Sequence, residues 1–580
     1  MRDLTVAIKE EKRDMVVLLL IVLVSAVVFF FAHNRGLDPI DDGYLAYPAV
    51  RVLAGQLPHV DFVTGYTGGL YFFHALVFFL FGVDIVNLRR VLVFFGCGIV
   101  AILFLLTRRI ARFPFSLIPS FVFFIYGLPV CFKPYPTWYS VFFGLAALLF
   151  LFRFGEKGER WSLALSGILI GFSFLFKQTV GVYNMLASML FLSTAHGTPR
   201  VFKALPIVFS TLLFFSMLLP QLSIDVIAIF LLPLIFLFYV AWFYESEFRC
   251  TLADCLYILL PFVATVSLMP LYYMAVRGPS AVIDWLYGVF VFPARIPLIA
   301  TPPQWLGILP LIFIGTTVII FRGRWVSALF FLLLILGFAT GRHFLALYFR
   351  TVGVWLPSLT YLAALLIRGE WRKNRLLLGL MCFGVMNLFV LFPTIDYPYT
   401  VWSSAPALPV LAYVLNMVWV RRRFYALPAF ALLGTFLIYH AVHVFIRADE
   451  VPLLLDGANV YMDKETVENL RGVVEFLREN ADEDEIFVFP ADSIVYLLAG
   501  RDNPTRYDYL LWGFADERGI DEIIRTLQEK RIKWVVADFS YKTRYYDYVG
   551  EHAADKMEGY LRVEYETVVR IGPYEIMRLR

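Results

Sequence analysis

Two adjacent carboxylates, Asp41 and Asp42, follow shortly after the first long apolar run, which ends near Ala32. A carboxylate near a membrane surface can take a proton from a hydroxyl group as a general base, and paired carboxylates can hold a divalent cation. Adjacent acids can also have their pKa values pushed apart, which leaves one of them ionised as the base. A simpler interpretation is that Asp41 caps a short helix, because an Asp side chain accepts backbone N–H bonds at a helix start.

Further charged and polar side chains stand in turns between apolar runs. Lys177 and Gln178 separate two such runs, and Lys133 lies in a stretch rich in proline and aromatic residues. A charged residue at such a depth is costly unless it reaches the surface or meets a partner, so Lys177 is a functional candidate, with snorkelling as the alternative. The other candidates are Asp61, Tyr66, Arg342, His343, Asp396 and Tyr399.

The elements that must position these residues are membrane helices. Of the 580 residues, 60% are hydrophobic and only 17% are charged, which is typical of a polytopic membrane protein. Apolar runs of about 17–22 residues can cross the ~30 Å hydrocarbon layer as helices, and the sequence predicts about 13–15 of them. The runs lie near 15–32, 88–107, 115–131, 137–154, 161–176, 179–195, 204–220, 222–241, 256–276, 304–321, 325–340, 345–367, 376–392, 400–420 and 426–446.

The distribution of Lys and Arg predicts the orientation. Basic residues fall in alternate short turns of this set, and such turns stay on the cytoplasmic side. The N-terminus is therefore expected in the cytoplasm, and the loop 33–87 that carries Asp41 outside. Within that loop we expect an amphipathic segment over 42–54, interrupted at Pro48, and a re-entrant or interfacial helix over 68–82.

The chain changes character after residue 446. From Arg447 onward there are 28 acidic and 18 basic residues, a net charge of −10 against +14 for the rest. Helical spacing over Thr466–Asn480 and Ile520–Lys530 alternates with β-rich runs at Glu485–Pro490, Lys533–Phe539 and 564–579. We therefore predict a membrane domain over 1–446 and a small extracytoplasmic α/β domain over 450–580. Its negative charge should keep it off anionic lipid and seat it on the Asp41 loop and the segment 277–303.

Several motifs carry a resemblance to a known group. Asp41-Asp42-Gly-Tyr, followed by Ala-Gly55-Gln-Leu-Pro-His-Val-Asp61-Phe and later by Phe176-Lys177-Gln178, resembles the polytopic GT-C glycosyltransferases. The similar branch is that of protein O-mannosyltransferases and lipid A aminoarabinose transferases. Two positions depart from that pattern: Asp42 stands where many relatives have Glu, and Tyr399 stands where a His is expected.

The resemblance implies a mainly α GT-C fold and inverting transfer of a sugar from a polyprenyl-phosphate carrier to a protein, lipid or glycan acceptor outside the membrane. It implies Asp41 as the base, with Asp42 orienting the acceptor or helping to hold a divalent cation. It also implies that Lys177, Gln178, Arg342 and His343 bind the lipid phosphate. Asp61, Tyr66, Lys133, Asp396 and Tyr399 are implied as acceptor or loop residues.

Two other classes of protein remain as alternatives. A non-catalytic flippase or carrier for lipid-linked sugars would need polar residues along a path between helices, whereas few ionisable residues lie deep in the predicted spans. A receptor or scaffold would leave the paired acids unexplained. Membrane lipids are expected partners and nucleic acid is not. The five scattered cysteines indicate neither a disulfide framework nor a cysteine metal site.

Overall fold

A computed structural model describes the chain from residue 2 to 580, except 224–225, 296–341, 367–373, 393–396, 422, 447–449, 482–484, 512 and 541–550. The described part is a bundle of apolar helices followed by a small α/β domain, which confirms the predicted fold class. The helices of the bundle are α1 (Arg2–Ala32), α2 (Asp41–Leu53), α3 (Gly69–Phe81), α4 (Ile85–Arg108), α5 (Ile118–Ile125), α6 (Pro136–Lys157), α7 (Arg160–Phe176), α8 (Gln178–Ser193), α9 (Arg200–Leu218), α10 (Leu232–Phe243), α11 (Leu252–Arg277), α12 (Pro279–Leu286), α13 (Arg342–Leu366), α14 (Arg375–Asn387), α15 (Tyr397–Ser404), α16 (Ala407–Arg421) and α17 (Arg423–Phe445). Two short parallel strands, β1 (Ala195–His196) and β2 (Ser246–Arg249), pair within this region.

The bundle has the surface of a multi-pass membrane protein. Within the described residues, α4, α6, α9, α11 and the part of α1 from Glu10 are long and apolar enough to cross a membrane. The pair α15 and α16, bent by 60°, adds one more if it is counted as a single span. Large apolar side chains point outward along these helices, for example Leu212 and Leu271, which are 68% and 64% exposed. The spans predicted at 304–321 and 325–340 lie outside the described residues.

The loop between α1 and α4 is built from two helices. The predicted interruption at Pro48 is wrong, because α2 runs continuously from Asp41 to Leu53 through that residue. Proline removes one backbone hydrogen bond, but α2 is buried along most of its length, and this packing offsets the loss. The predicted short apolar helix is α3, whose C-terminal end exposes Phe79 and Phe81.

The C-terminal domain is a four-stranded sheet with helices and one separate hairpin. Its helices are α18 (Lys464–Asn480), α19 (Ile494–Ala499), α20 (Glu517–Lys530) and α21 (Glu551–Glu564), and its strands are β3 (Glu450–Leu455), β4 (Ala458–Asp463), β5 (Phe487–Phe489), β6 (Trp534–Asp538), β7 (Tyr565–Ile571) and β8 (Tyr574–Leu579). The sheet order is β5-β6-β8-β7, with β5 and β6 parallel and the other pairs antiparallel. The predicted helices and β-rich runs are all present, whereas the β3–β4 hairpin, α19 and α21 were not predicted.

This domain lies directly on α2, the helix that carries Asp41. A Cβ atom added at Gly43 would stand 2.2 Å from the backbone nitrogen of Ile494 in α19, so only glycine permits this approach. Tyr47 stacks on Tyr496 with ring centroids 4.8 Å apart. Phe514 also contacts Phe292, at 5.3 Å between ring centroids. These contacts place the domain on the Asp41 loop and on the described part of 277–303, where its charge predicted it to rest.

Candidate active site

Asp41 lies in the first turn of α2, but its side chain does not cap the helix. The N-cap residue is Ile40, without a side-chain capping bond, and it is Asp38 Oδ1 that accepts from the backbone N–H groups of Ile40 and Asp41, at 3.1 and 3.2 Å. Asp41 Oδ2 instead accepts from Lys133 Nζ at 2.8 Å and from the Tyr135 hydroxyl. The simpler interpretation of Asp41 as a helix cap is therefore wrong.

Lys133 stands between two carboxylates. Its Nζ lies 2.7 Å from Asp38 Oδ2 and 2.8 Å from Asp41 Oδ2. Burial raises the pKa of Asp41, opposed by the charge of Lys133 and by the hydrogen bonds from Lys133 and Tyr135. Burial also acts to raise the pKa of Asp38, but the charge and hydrogen bonds of Lys133 outweigh it, so that pKa is lowered. Asp41 is thus the more basic member of the pair.

Asp42 faces a different direction and a different cation. Its Oδ2 lies 3.0 Å from Arg89 Nη2, and both side chains are at most 1% exposed. Arg89 Nη1 also donates to the carbonyl oxygens of His33 and Arg35, at 3.2 and 3.3 Å. The pair therefore ties α2 to α4 and to the end of α1. This geometry gives Asp42 a positioning role and does not place it beside Asp41 in a common site.

A divalent cation shared by Asp41 and Asp42 does not fit this arrangement. The two carboxylates bind Lys133 and Arg89, respectively. Across the described ranges, no group of three or more His, Cys, Asp or Glu side chains gathers as a metal site would require. Because a hard cation needs several oxygen ligands, a metal here would have to displace a side-chain cation first.

Lys177 lies in the turn between α7 and α8, beside neutral groups. Its Nζ donates to Thr137 Oγ1 at 2.9 Å and stands 5.3 and 5.4 Å from the ring centroids of Tyr399 and Trp402. In the part of the chain that the structure describes, no carboxylate lies within ion-pair distance of it. Burial lowers the pKa of Lys177 to about 8. An anion that entered here would meet a cation that has no countercharge among the described residues.

An aromatic wall, formed by Tyr135, Tyr399 and Trp402, connects the two charged groups. The Trp402 ring lies 5.1 Å from that of Tyr135 and 5.0 Å from that of Tyr399, between centroids. Tyr135 donates to Asp41, and Trp402 and Tyr399 contact Lys177. Tyr66 is also close, since burial and then the charges of Tyr44, Tyr399 and Asp41 raise its pKa. The fold thus gathers five sequence-predicted residues: Asp41, Lys133, Lys177, Tyr399 and Tyr66.

The other predicted residues lie elsewhere or outside the description. Gln178 Nε2 donates to the Gly65 carbonyl at 3.0 Å, so its amide holds the loop beside Tyr66 and is not free for a phosphate. Asp61 accepts from the Leu57 N–H of its own loop at 2.7 Å and lies 3.5 Å from Arg277 at the end of α11. Arg342 and His343 begin α13, but their side chains, like all of Asp396, lie outside the described residues.

Four residues of the site were not predicted from the sequence: Asp38, Tyr135, Thr137 and Trp402. Asp38 and Tyr135 stand two or three residues from the predicted Asp41 and Lys133. The stretch Lys133-Pro-Tyr135-Pro directly before α6 was the available signal, because prolines hold this short segment extended and fix where its side chains point. Trp402 offers no such local signal.

A cavity of about 320 Å³ adjoins the Asp38–Lys133 pair. Its polar lining includes Asp38, Lys133 and Arg35, and its apolar lining includes Phe31 and Phe445 from the ends of α1 and α17. Asp38 and Asp41 keep 37% and 36% of their side-chain surface accessible. The Asp38–Lys133 end of the site thus opens into a space with both polar and apolar walls.

No protein-family model matches the chain, and no curated protein matches it in sequence. Solved structures do align with it over most of its length. The oligosaccharyltransferase AglB from Archaeoglobus fulgidus, in complex with an inhibitory peptide and a dolichol-phosphate, is 12% identical, with a TM-score of 0.47 over 97% of this chain and 74% of that chain. ArnT from Cupriavidus metallidurans, bound to undecaprenyl phosphate, is 12% identical, with a TM-score of 0.35 over 96% of this chain and 97% of that chain. Both are members of the GT-C group that the sequence predicts, and at this similarity their activities do not transfer to this chain.

Proposed function

We propose that this protein is an integral-membrane glycosyltransferase that moves a sugar from a polyprenyl-phosphate carrier to an acceptor hydroxyl at the outer membrane face, with inversion. One observation carries the proposal: a carboxylate and a partly buried lysine share one aromatic wall. Tyr135 of the wall binds Asp41, and Tyr399 and Trp402 contact Lys177. A base for the acceptor and a cation for the departing phosphate are the two charged groups that such a transfer needs.

Asp41 is placed to take the acceptor's proton. Both of its side-chain hydrogen bonds fall on Oδ2, so Oδ1 has no partner among the described residues. Burial raises its pKa, which makes it a stronger base than an exposed Asp, while Lys133 favours the ionised form. As Oδ1 takes the proton, the acceptor oxygen attacks the anomeric carbon from the face opposite the phosphate. The bond between that carbon and the phosphate oxygen breaks, and the configuration inverts.

Lys177 is placed to hold the leaving group. Polyprenyl phosphate departs with additional negative charge on the oxygen that was bonded to the sugar. Since the ammonium of Lys177 lies partly buried beside neutral groups, a phosphate would supply the countercharge that these groups lack. The attraction increases as charge builds on the leaving oxygen, so it favours the transition state over the bound donor. Arg342 and His343 remain further candidates for contacts to the phosphate.

The proposed location follows from charge. Basic residues in alternate short turns favour a cytoplasmic N-terminus, with the Asp41 loop and the C-terminal domain on the outer face. A donor with a polyprenyl tail stays in the bilayer, and Asp41 lies only nine residues beyond the apolar end of α1 at Ala32. The acceptor is a protein, a lipid or a glycan, and the product of the reaction will identify which.

The test is a transfer assay with the full-length protein in proteoliposomes. Sugars radiolabelled on polyprenyl phosphate are incubated with the protein and a membrane extract, and the labelled product is isolated. We expect product with the opposite anomeric configuration to the donor, and a rate lower by ~10²–10⁴-fold with Asp41→Asn. A labelled donor that crosses the bilayer without any transfer would overturn the proposal in favour of a flippase.

A further inference from the structure

On the basis of the proposed function, in which Asp41 is the base, we propose that Lys133 takes the place of a divalent cation in this site. Its ammonium neutralises the Asp38–Asp41 pair and prevents that pair from binding a metal ion. The transferase would then need no divalent cation at its base.

The geometry of Lys133 is that of a bridging cation. One nitrogen lies 2.7 Å from Asp38 Oδ2 and 2.8 Å from Asp41 Oδ2, so each carboxylate uses one oxygen on the same positive charge. A metal ion bridging two carboxylates would bind at ~2.0–2.6 Å from such oxygens, in nearly the same space. The ammonium and a metal ion therefore exclude each other from this position.

The other cations nearby do not serve this pair. Arg89 is bound to Asp42, Arg35 lies 4.0 Å from Glu450, and Lys177 is held by Thr137 and the aromatic wall. In the described part of the chain, Lys133 is thus the cation that balances Asp38 and Asp41. Removing its charge would leave two carboxylates together with one phenol hydroxyl, from Tyr135, and such a group attracts a cation from solution.

Lys133 and Lys177 therefore have different roles within the site. A metal ion has open coordination positions and binds phosphate oxygens as well as carboxylates, whereas an ammonium held by two carboxylates has little left to offer a phosphate. Lys133 is therefore a positioning residue: it orients Asp41 so that Oδ1 is free and keeps that carboxylate ionised. The phosphate is left to Lys177, at the other end of the aromatic wall.

Terbium luminescence tests this inference without reference to turnover. Tyr135 donates to Asp41 and Trp402 packs on Tyr135, so their excitation should sensitise a Tb³⁺ ion bound at the pair. The full-length wild-type protein should show no Tb³⁺ signal that depends on Asp41. Lys133→Ala should gain one that Mn²⁺ displaces, and it should bind Tb³⁺ about tenfold or more tighter than any remaining site of the wild type. The signal should be absent in Lys133→Arg, which keeps the charge, and in Lys133→Ala/Asp41→Asn, which loses a ligand.

Measurements on the wild type keep the inference falsifiable even if Lys133→Ala does not fold. An Asp41-dependent Tb³⁺ or Mn²⁺ site in the wild type would overturn it, as would turnover that stops with a chelator and returns with Mn²⁺. A folded Lys133→Ala protein that gains no Tb³⁺ site would overturn it as well.

The experiments distinguish a failure of the proposed transferase function from a failure of the proposed role of Lys133. If Lys133→Ala gains the metal site but the wild type transfers no sugar, the proposed function fails and the role of Lys133 as the cation stands. If the wild type transfers sugar but requires Mn²⁺ at Asp41, the function stands and the inference falls.

In an active Lys133→Ala protein, the acidic limb of kcat/KM should also move to higher pH, because the charge that favours ionised Asp41 is gone. Asp38, Tyr135, Tyr66 and Cys131 remain around Asp41 in that variant.

Discussion

At the scale of single residues, the first prediction concerns the role of Asp41 as the base. Asparagine keeps the shape of the side chain but loses the basic oxygen, so Asp41→Asn should lower turnover by ~10²–10⁴-fold while membrane insertion is unchanged. The measurement is product formation from a radiolabelled donor, and Asp38→Asn is the matched control, since it alters the same Lys133 contact without removing the base. Full turnover in Asp41→Asn together with loss in Asp38→Asn would exchange the two roles.

The lowered pKa of Lys177 predicts that use of the donor depends on pH. Because burial lowers its pKa to about 8, the free enzyme holds the ammonium below that pH and loses it above. With the lipid phosphate as its ligand, kcat/KM for the donor should fall as pH rises through about 8. Lys177→Arg should move this limb to higher pH, since a guanidinium keeps its charge there. A limb that stays in place in Lys177→Arg would assign it to another group.

At the scale of elements, the Asp42–Arg89 pair holds α2 in position rather than acting on substrate. Asp42→Asn would leave the buried guanidinium of Arg89 without its countercharge, which costs about 3–5 kcal/mol in comparable buried pairs. We expect a clear fall in the Tm of the detergent-purified protein, and a loss of turnover that follows the loss of folded protein. Asp456→Asn is the matched control, since its side chain is 92% exposed and its ion pair with Arg478 should contribute little. A normal Tm with lost turnover in Asp42→Asn would instead return Asp42 to a catalytic role.

At the scale of the whole molecule, a buried ion pair joins the membrane part to the C-terminal domain. Arg51 of α2 lies 2.6 Å from Asp508, with side chains 6% and 0% exposed, and Asn503 supports Asp508 from the same domain. The domain therefore braces the helix that begins with Asp41, and movement at this interface would displace the base.

The Arg51–Asp508 ion pair predicts that stability and turnover change together. Asp508→Asn should lower both Tm and turnover, because Arg51 is left buried without its partner. Arg51→Met/Asp508→Leu removes both charges and should recover part of the Tm, since apolar pairs of similar size often replace buried ion pairs. Thermal unfolding and transfer assays on the three proteins provide the comparison. Unchanged turnover in a destabilised Asp508→Asn protein would mean that the domain does not position Asp41.

Much of the fold was predictable because it follows from local pattern. Apolar runs predicted the membrane helices, and helical spacing over Thr466–Asn480 corresponds to α18 at Lys464–Asn480. Short elements were not predicted, because Ile494–Ala499 and each strand of the β3–β4 hairpin have only six residues, too few for a clear periodic signal.

The sequence by itself determined which residue types stand at the ends of the membrane helices, but only the tertiary structure decided which of them meet. Asp41 and Asp42 look like one site in sequence, yet successive residues of a helix point about 100° apart, so once α2 forms the first faces Lys133 and the second faces Arg89. Lys133 reaches Asp41 across 92 residues of chain, and Tyr399 reaches Lys177 from a different helix. Such contacts depend on how helices rotate and pack against one another, which local residue patterns do not encode.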